Sequence, residues 1–270
     1  MKRIARSLLF VPGHRSDRFA KAVACGAHAV LLDLEDAVAP DAKSGARDAV
    51  ADWLSTGAVA LVRINAADTE WFADDLAMLR AFPNAGVMLP KADSSSLAHT
   101  VDALRGREVV ALLESVDGFV DLSAMSAIAG LSRIAFGSVD FALDSGISDE
   151  ADALTSVRNQ IVLQSRVAGL AAPVDGVGVD FSDPAQMRAD AIRSRQLGFG
   201  GKLCIHPAQV GAVNAAFEPS QQERDWAVRV LRAFEASRGA ATSVDGKMID
   251  KPVVERARRI AAEFESVTSS

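Results

Sequence analysis

Val109-Val110-Ala111-Leu112-Leu113 running into Glu114, followed by Ile134-Ala135-Phe136-Gly137-Ser138-Val139 running into Asp140, is the stretch that decides the fold. A short apolar run closed by a polar residue reads as a buried parallel strand that hands a side chain to its C-terminal edge. Two such neighbours place both carboxylates on one rim. Apolar flanks keep water scarce there, so the two anions repel unless a proton or a cation comes between them. A divalent metal held by Glu114 and Asp140 is the reading adopted; the alternative is a structural pair that caps loops or binds barrel arginines.

Working outward, the same strand-then-helix unit recurs along the chain. Strands are expected over Arg6–Val11, Ala29–Asp36, Val59–Asn65, Gly86–Lys91, Val109–Leu113, Ile134–Val139, Asp175–Phe181 and Gly201–Pro207. Helices are expected over Ser16–Cys25, from near Asp41 through Leu54, and over Trp71–Ala81, Ser96–Leu104, Asp121–Ile128 and Leu154–Ala168, with one more from Pro184 to Leu197. Ser16 and Ser182-Asp183-Pro184 supply start signals, and Gly26 a stop. About eight such units close a (β/α)₈ TIM barrel, whose functional groups gather at the C-terminal strand ends. Those ends carry Arg63, Lys91, Glu114, Asp140, Asp180 and His206. An open doubly wound sheet is the competing architecture, but the first strand-helix junction lacks its Gly-x-Gly-x-x-Gly turn.

Residues 1–217 are therefore assigned to the barrel and 218–270 to a C-terminal helical arm. The arm begins with a helix capped by Ser220 and running to Ser237, then a small-residue connector, Arg238-Gly239-Ala240-Ala241-Thr242-Ser243-Val244, and a last helix from Val253 to about Phe264. An arm on a hinge can cover a barrel mouth.

Composition narrows the function classes. The chain has 270 residues, 49% hydrophobic and 24% charged, which is ordinary for a globule with a sizeable core. A net charge of −6 without a Lys/Arg cluster argues against nucleic acid. Met1-Lys2-Arg3-Ile4-Ala5-Arg6 opens like a signal peptide, but Pro12-Gly13 stops the apolar run, and no run is long enough to span a membrane. Cys25 and Cys204 lack CxxC spacing and read as free thiols in a reducing, cytoplasmic setting.

Several motifs then carry a family resemblance. Arg6-Ser7-Leu8-Leu9-Phe10-Val11-Pro12-Gly13, Asp33-Leu34-Glu35-Asp36, Val62-Arg63-Ile64-Asn65, Leu89-Pro90-Lys91, Leu113-Glu114-Ser115, Phe136-Gly137-Ser138-Val139-Asp140, Cys204-Ile205-His206-Pro207-Ala208-Gln209 and Gly246-Lys247-Met248-Ile249-Asp250 stand in the order found in the citrate lyase β subunit. The chain thus resembles the citrate lyase branch of the HpcH/HpaI aldolase family, with malyl-CoA and citramalyl-CoA lyases as relatives. The resemblance implies an Mg²⁺-dependent carbon–carbon lyase that assembles as trimers or their multiples. It implies a short 3-hydroxy acyl thioester as substrate, and a 2-oxo acid and an acetyl thioester as products. By the same resemblance Glu114 and Asp140 are metal ligands, Arg63 grips the oxo acid, and Asp250 is a catalytic carboxyl acting in an adjacent subunit's site. Phe10 departs from a tyrosine that some relatives place near the thioester, leaving the carrier open between coenzyme A and an acyl carrier protein.

The residues allow plainer roles beside these. Glu35 and Asp36 are expected around the metal waters and Arg63. Arg63 itself is either an ion-pair partner of those carboxylates, an anion clamp, or both. Asn65 is expected to bond rim backbone. Arg15, Arg18 and Lys21 are either a phosphate-binding face for coenzyme A, with Arg18 the residue carried forward, or a solvated helix surface. Lys91 forms a Schiff base or a salt bridge, and His206 touches substrate or holds structure. The plainer alternative for the arm is that it merely holds subunits together, with Met248 and Ile249 as interface hydrophobes. Two other functions stay open: a β subunit that works only within a citrate lyase complex on citryl-acyl carrier protein, and a non-catalytic oxo-acid-binding barrel.

Overall fold

The computed structural model describes residues 5–237 and 240–268; the opening Met1–Ile4 and Arg238 and Gly239 of the connector lie outside the described residues. Eight parallel strands close a barrel: β1 Ser7–Pro12, β2 Ala29–Asp33, β3 Leu61–Arg63, β4 Gly86–Leu89, β5 Val109–Leu113, β6 Leu131–Phe136, β7 Val174–Asp175 and β8 Gly201–Cys204. The circle shuts where β8 pairs with β1, Leu8 lying opposite Leu203. Between strands run α1 Phe19–Ala24, α2 Lys43–Ser55, α3 Phe72–Arg80, α4 Ser94–Ala103, the short α5 Val116–Val120 and α6 Leu122–Ser126, α7 Ser138–Ser145, α8 Thr155–Val167 and α9 Pro184–Leu197. The last strand leads into α10 Pro207–Phe217.

Side-chain alternation along each strand sorts the core into two layers. Leu8, Leu31, Leu61, Met88, Val110, Leu112, Ala135, Val174 and Leu203 pack together inside the barrel. Their neighbours Leu9, Val30, Leu32, Val62, Val87, Leu89, Ala111, Leu113 and Ile134 pack outward in the larger core that includes the helices' apolar faces. Because the period is two, the residues two beyond Leu31, Leu61 and Leu112 also face inward, and these are Asp33, Arg63 and Glu114. The rim chemistry follows from strand register alone.

β6 and β7 end earlier than expected. β6 ends at Phe136, and Ser138 already begins α7, so Asp140 sits in a helix's first turn rather than at a strand end. The turn comes at Gly137, whose N–H donates to Leu113 O at 2.9 Å while a Cβ there would lie 2.6 Å from the Glu114 Cβ. β7 spans only Val174 and Asp175. There the Asp175 carboxylate accepts the N–H of Gly176 and pairs with Arg158 at 2.9 Å, and the glycine-rich chain beyond leaves the sheet. Asp180 accordingly folds onto its own loop, accepting from Ser182 N and Oγ at 2.7 and 2.6 Å. Ser16 does not cap a long helix; it lies in a 3₁₀ turn, Ser16–Arg18, ahead of α1.

The second compact unit begins at Glu218. It holds α11 Gln221–Ala236, the hairpin β9 Thr242–Val244 and β10 Lys247–Ile249, and α12 Lys251–Thr268. Ser220 and Glu223 form a reciprocal capping box on α11. The expected flexible connector is in part a strand, because Asp245 and Gly246 both take positive φ (52° and 74°) and set up a two-residue hairpin turn. Ile249 is buried with Ala227, Val230, Val254, Ala257 and Ile260 in this unit's own core, whereas Met248 is exposed. Among the described residues no helix is long and apolar enough to cross a membrane.

Candidate active site

A cavity of about 450 Å³ opens at the C-terminal ends of the barrel strands. Asp33, Asp36, Arg63, Glu114 and Asp140 line its charged side, and Phe10, Leu112, Phe136, Val177, Leu203 and Ile205 its apolar side. Strand register delivers Asp33 and Arg63 as direct neighbours on β2 and β3. Arg63 Nε and Nη2 each donate to an Asp33 oxygen at 2.7 Å, a bidentate fork, while Nη1 lies 3.3 Å from Asp36 Oδ2 and 2.9 Å from Glu35 Oε2. The Phe10 ring stacks on the guanidinium at 4.8 Å. Burial works against the Arg63 charge, but Asp33, Glu35 and Asp36 outweigh it and hold its pKa above the ordinary value. Arg63 is thus an ion-pair hub, and only its Nη1 side is left to share with a ligand.

Glu114 is held at one oxygen. Its Oε1 accepts the Lys91 backbone N–H at 2.7 Å, and Lys91 adopts a left-handed backbone, φ 45°, to aim that amide. Such a conformation costs a non-glycine residue about 1–3 kcal/mol and persists where surroundings enforce it. Burial pushes the Glu114 carboxyl up to about 7, the Lys91 amide and Arg63 resisting and the charge of Asp140 adding to the rise. No hydrogen bond to the Asp140 carboxylate is present among the described residues, and the residue is exposed to the cavity. Glu35, buried beside Arg63, is pushed up to about 8 by desolvation, against Arg63 and with help from Glu114. Its ion pair with Nη1 lacks hydrogen-bond geometry, so desolvation prevails over pairing.

These observations fit a hard divalent cation. Two carboxylates share one cavity, one is buried at a cost, and the other carries no hydrogen-bonding partner among the described residues; oxygen donors with room for waters suit such an ion. Among the described residues no group of three or more His, Cys, Asp or Glu is placed to hold a metal ion, so the remaining positions would fall to water and substrate oxygens.

The other sequence candidates are distributed differently. Asn65 turns to Asp75, donating at 2.7 Å from its side chain and 2.9 Å from its backbone, and not to rim carbonyls. Lys91 Nζ is well exposed and 3.9 Å from Glu35 Oε1, which is the salt-bridge reading at its outer limit. His206 stacks on Phe181 at 4.5 Å and its Nδ1 accepts the N–H of Ala208, a structural role. Arg15 pairs with Asp17 at 2.9 Å, and Arg18 and Lys21 are exposed on the first turn, none of them among the residues lining the cavity. Asp250 stands at the start of α12, its Oδ1 accepting Val253 N–H at 3.3 Å.

Asp33 and Gly137 are the residues the sequence reading passed over. Asp33 was legible as the inward position two beyond Leu31; Gly137 carried no signal until Glu114 was placed beside it. Gly137→Ala puts its Cβ 2.6 Å from Glu114 Cβ and 2.8 Å from Glu114 Oε2, so the Glu114 side chain must move to admit it. The expected result is overpacking of about 1–3 kcal/mol and a displaced Glu114. Thermal melts together with turnover would register both, and an unperturbed turnover would contradict the close packing.

The family described as HpcH/HpaI aldolase/citrate lyase matches residues 6–207. The chain is 34% identical to the (3S)-malyl-CoA thioesterase of Cereibacter sphaeroides, with 98% of this chain and 96% of that protein covered. It is 35% identical to a citrate lyase subunit beta-like protein of Mycobacterium tuberculosis, over 97% and 96% of the two chains. Among solved structures it is similar to protein CitE from Mycobacterium tuberculosis in complex with magnesium, acetoacetate and coenzyme A, at 33% identity and a TM-score of 0.85, covering 97% of this chain and 99% of that one.

Proposed function

The chain belongs to the HpcH/HpaI aldolase/citrate lyase family, and on that premise we propose that it is a magnesium-dependent lyase that cleaves or forms a short 3-hydroxy acyl thioester. The substrates proposed are malyl-, citramalyl- or citryl-CoA. What carries the reading is the presence of Glu114, Asp140 and Arg63 on one cavity. A relative that binds magnesium, acetoacetate and coenzyme A supports the choice of ligands.

Glu114 and Asp140 would hold the ion, which when bound supplies Lewis-acid stabilisation of oxygen charge. Arg63 meets the substrate's carboxylate with its Nη1 side, its other edge fixed by Asp33. The apolar wall of Phe10, Leu112 and Leu203 excludes water from the reacting carbons. In the cleavage direction the substrate hydroxyl loses its proton, and the bond between the carbinol carbon and the carbon beside the thioester breaks. The carbinol carbon becomes the carbonyl of a 2-oxo acid, and the released electron pair becomes the enolate of an acetyl thioester, which is protonated at carbon. We assign both transfers to Asp250, whose carboxylate takes the hydroxyl proton and returns it to the enolate carbon, delivered by the arm of a neighbouring subunit in a trimer or multiple of trimers, with residues 218–270 acting as the arm and 1–217 as the catalytic barrel. Arg18 is proposed to meet the phosphates of the carrier.

For Asp250→Asn the expected outcome is retained thioester binding with turnover reduced about 10²–10⁴-fold, the range of a lost acid–base group. Mixing it with Glu114→Gln should restore part of the activity, because one site in the mixed oligomer then regains both groups. Absence of any rescue would place Asp250 in its own subunit's site.

Protonation gives a separate handle. With Glu114 and Glu35 raised to about 7 and about 8, the metal-free folded state holds protons that the unfolded chain releases near 4.5. Stability without metal therefore falls as pH rises through that window. Metal competes for the ionised carboxylate, so the rise in Tm caused by Mg²⁺ should be near zero at about pH 5 and large at about pH 8. Equal shifts at both ends would contradict the assignment.

A second reading has its own support, since one relative is a malyl-CoA thioesterase. Product analysis on purified protein with malyl-CoA and citramalyl-CoA separates the two. Acetyl-CoA with glyoxylate or pyruvate marks the lyase, whereas free coenzyme A with malate or citramalate marks the hydrolase. Turnover of citryl-acyl carrier protein alone, and only with partner subunits present, would indicate a citrate lyase β subunit. Binding of an oxo acid without turnover of any thioester would indicate a non-catalytic barrel.

A further inference from the structure

The geometry points to Asp149, acting through Ser138, as the positioning residue that fixes the Asp140 end of the site. The inference rests on the reading of Glu114 and Asp140 as metal ligands. Glu114 is placed by a direct hydrogen bond from Lys91, but no such bond reaches the Asp140 carboxylate among the described residues. Its location is set by the backbone at the start of α7, and that start is clamped elsewhere. Ser138, the first residue of α7 and 1% exposed, donates its hydroxyl to Asp149 Oδ2 at 2.5 Å. Asp149 follows the helix, so this one bond ties its beginning to the loop beyond its end.

The clamp is anchored in the barrel wall. Asp149 Oδ1 accepts from Arg158 Nη2 of α8 at 3.0 Å, and Arg158 Nε donates to Asp175 Oδ1 of β7 at 2.9 Å. Asp175 Oδ2 accepts the Ser194 hydroxyl of α9 at 2.5 Å and lies 3.8 Å from Lys202 Nζ of β8. Arg158 is 5% exposed, lies with its guanidinium 5.2 Å from the Phe136 ring, and leaves Nη1 buried without a hydrogen-bond partner among the described residues. Gly176 closes the box, since a Cβ there would stand 2.3 Å from Ser138 Oγ. A relay of buried charges stabilises a fold no better than apolar packing of the same volume. Here it fixes a geometry: through Asp149 the relay ties α8, α9, β7 and β8 to one hydroxyl, two residues ahead of Asp140.

The test measures Mn²⁺ binding by electron paramagnetic resonance, with Tm alongside, on Ser138→Ala, Asp149→Ala and the double variant. Each single variant is expected to weaken Mn²⁺ about 10-fold or more, in the 10–100-fold range of groups that orient metal ligands. The double variant should weaken it no further than the worse single one, since both remove the same bond. Affinities within twofold of wild type in both single variants, or independent multiplicative losses in the double, would overturn the inference. A wild-type protein that binds no Mn²⁺ would remove the metal reading and the inference together, an outcome distinct from intact binding that ignores the clamp. Tm loss with unchanged Mn²⁺ affinity would reduce Asp149 to a structural role and equally overturn it.

Discussion

Glu114→Gln is expected to lower metal-dependent turnover about 10³-fold or more without unfolding the protein. Glutamine keeps the shape and can still accept the Lys91 N–H, so the 2.7 Å contact that orients the side chain survives. What disappears is the anion. Because burial already pushes Glu114 up to about 7, a neutral group there costs the fold nothing above that pH, and metal-free Tm at about pH 8 should hold steady or rise. Asp140→Asn removes the other charge and should lower turnover similarly, with added Mg²⁺ recovering part of it if only affinity is lost. Turnover against Mg²⁺ concentration, with melts in EDTA, reads both effects. Full turnover in both variants would leave the site without a metal role.

Arg63→Ala is expected to cost about 3–5 kcal/mol of folding stability, because the loss strands a buried carboxylate. Asp33 is 1% exposed, and both of its oxygens lie 2.7 Å from the Arg63 guanidinium. The same oxygens accept the backbone N–H groups of Glu35 and Ala37, so Asp33 also shapes the loop that carries Glu35 and Asp36. Arg63→Lys should be milder yet still deficient, since an ammonium cannot match the two-pronged geometry. A double variant, Asp33→Asn with Arg63→Met, should recover stability relative to Arg63→Ala while activity stays lost. Urea unfolding and the KM for the oxo acid separate the two roles. A stable Arg63→Ala protein with only a raised KM would show that the fork with Asp33 contributes little to the fold.

The barrel was legible because its strands announce themselves: Val109–Leu113 matches its apolar run residue for residue, and β1, β2, β3, β4 and β8 begin within two residues of theirs. β6 and β7 departed most, for reasons that lie in tertiary contact. At Gly137 the packing of Glu114 turns the chain into α7 one residue before the apolar run is exhausted, and at Asp175 a buried arginine draws the chain away from the sheet. Glu114, Arg63 and Asp140 were legible as rim residues, although Asp140 arrives there on a helix. The Lys91 amide bond to Glu114, the fork of Arg63 on Asp33 and the Ser138–Asp149 bond were not, because each depends on which backbone or side-chain oxygen faces which donor. The hairpin at Asp245-Gly246 was legible in principle from its turn residues and was hidden by the small residues ahead of it.

The most direct test is a crystal of the full chain grown with MnCl₂ and an oxo acid such as pyruvate, examined by anomalous scattering at the manganese edge. The expected result is a single strong peak at ligand distance from one oxygen each of Glu114 and Asp140, roughly 2.0–2.3 Å for a hard divalent ion, with the oxo acid completing the shell beside Arg63. An empty site between those two carboxylates, with the oxo acid bound elsewhere or not at all, would contradict it.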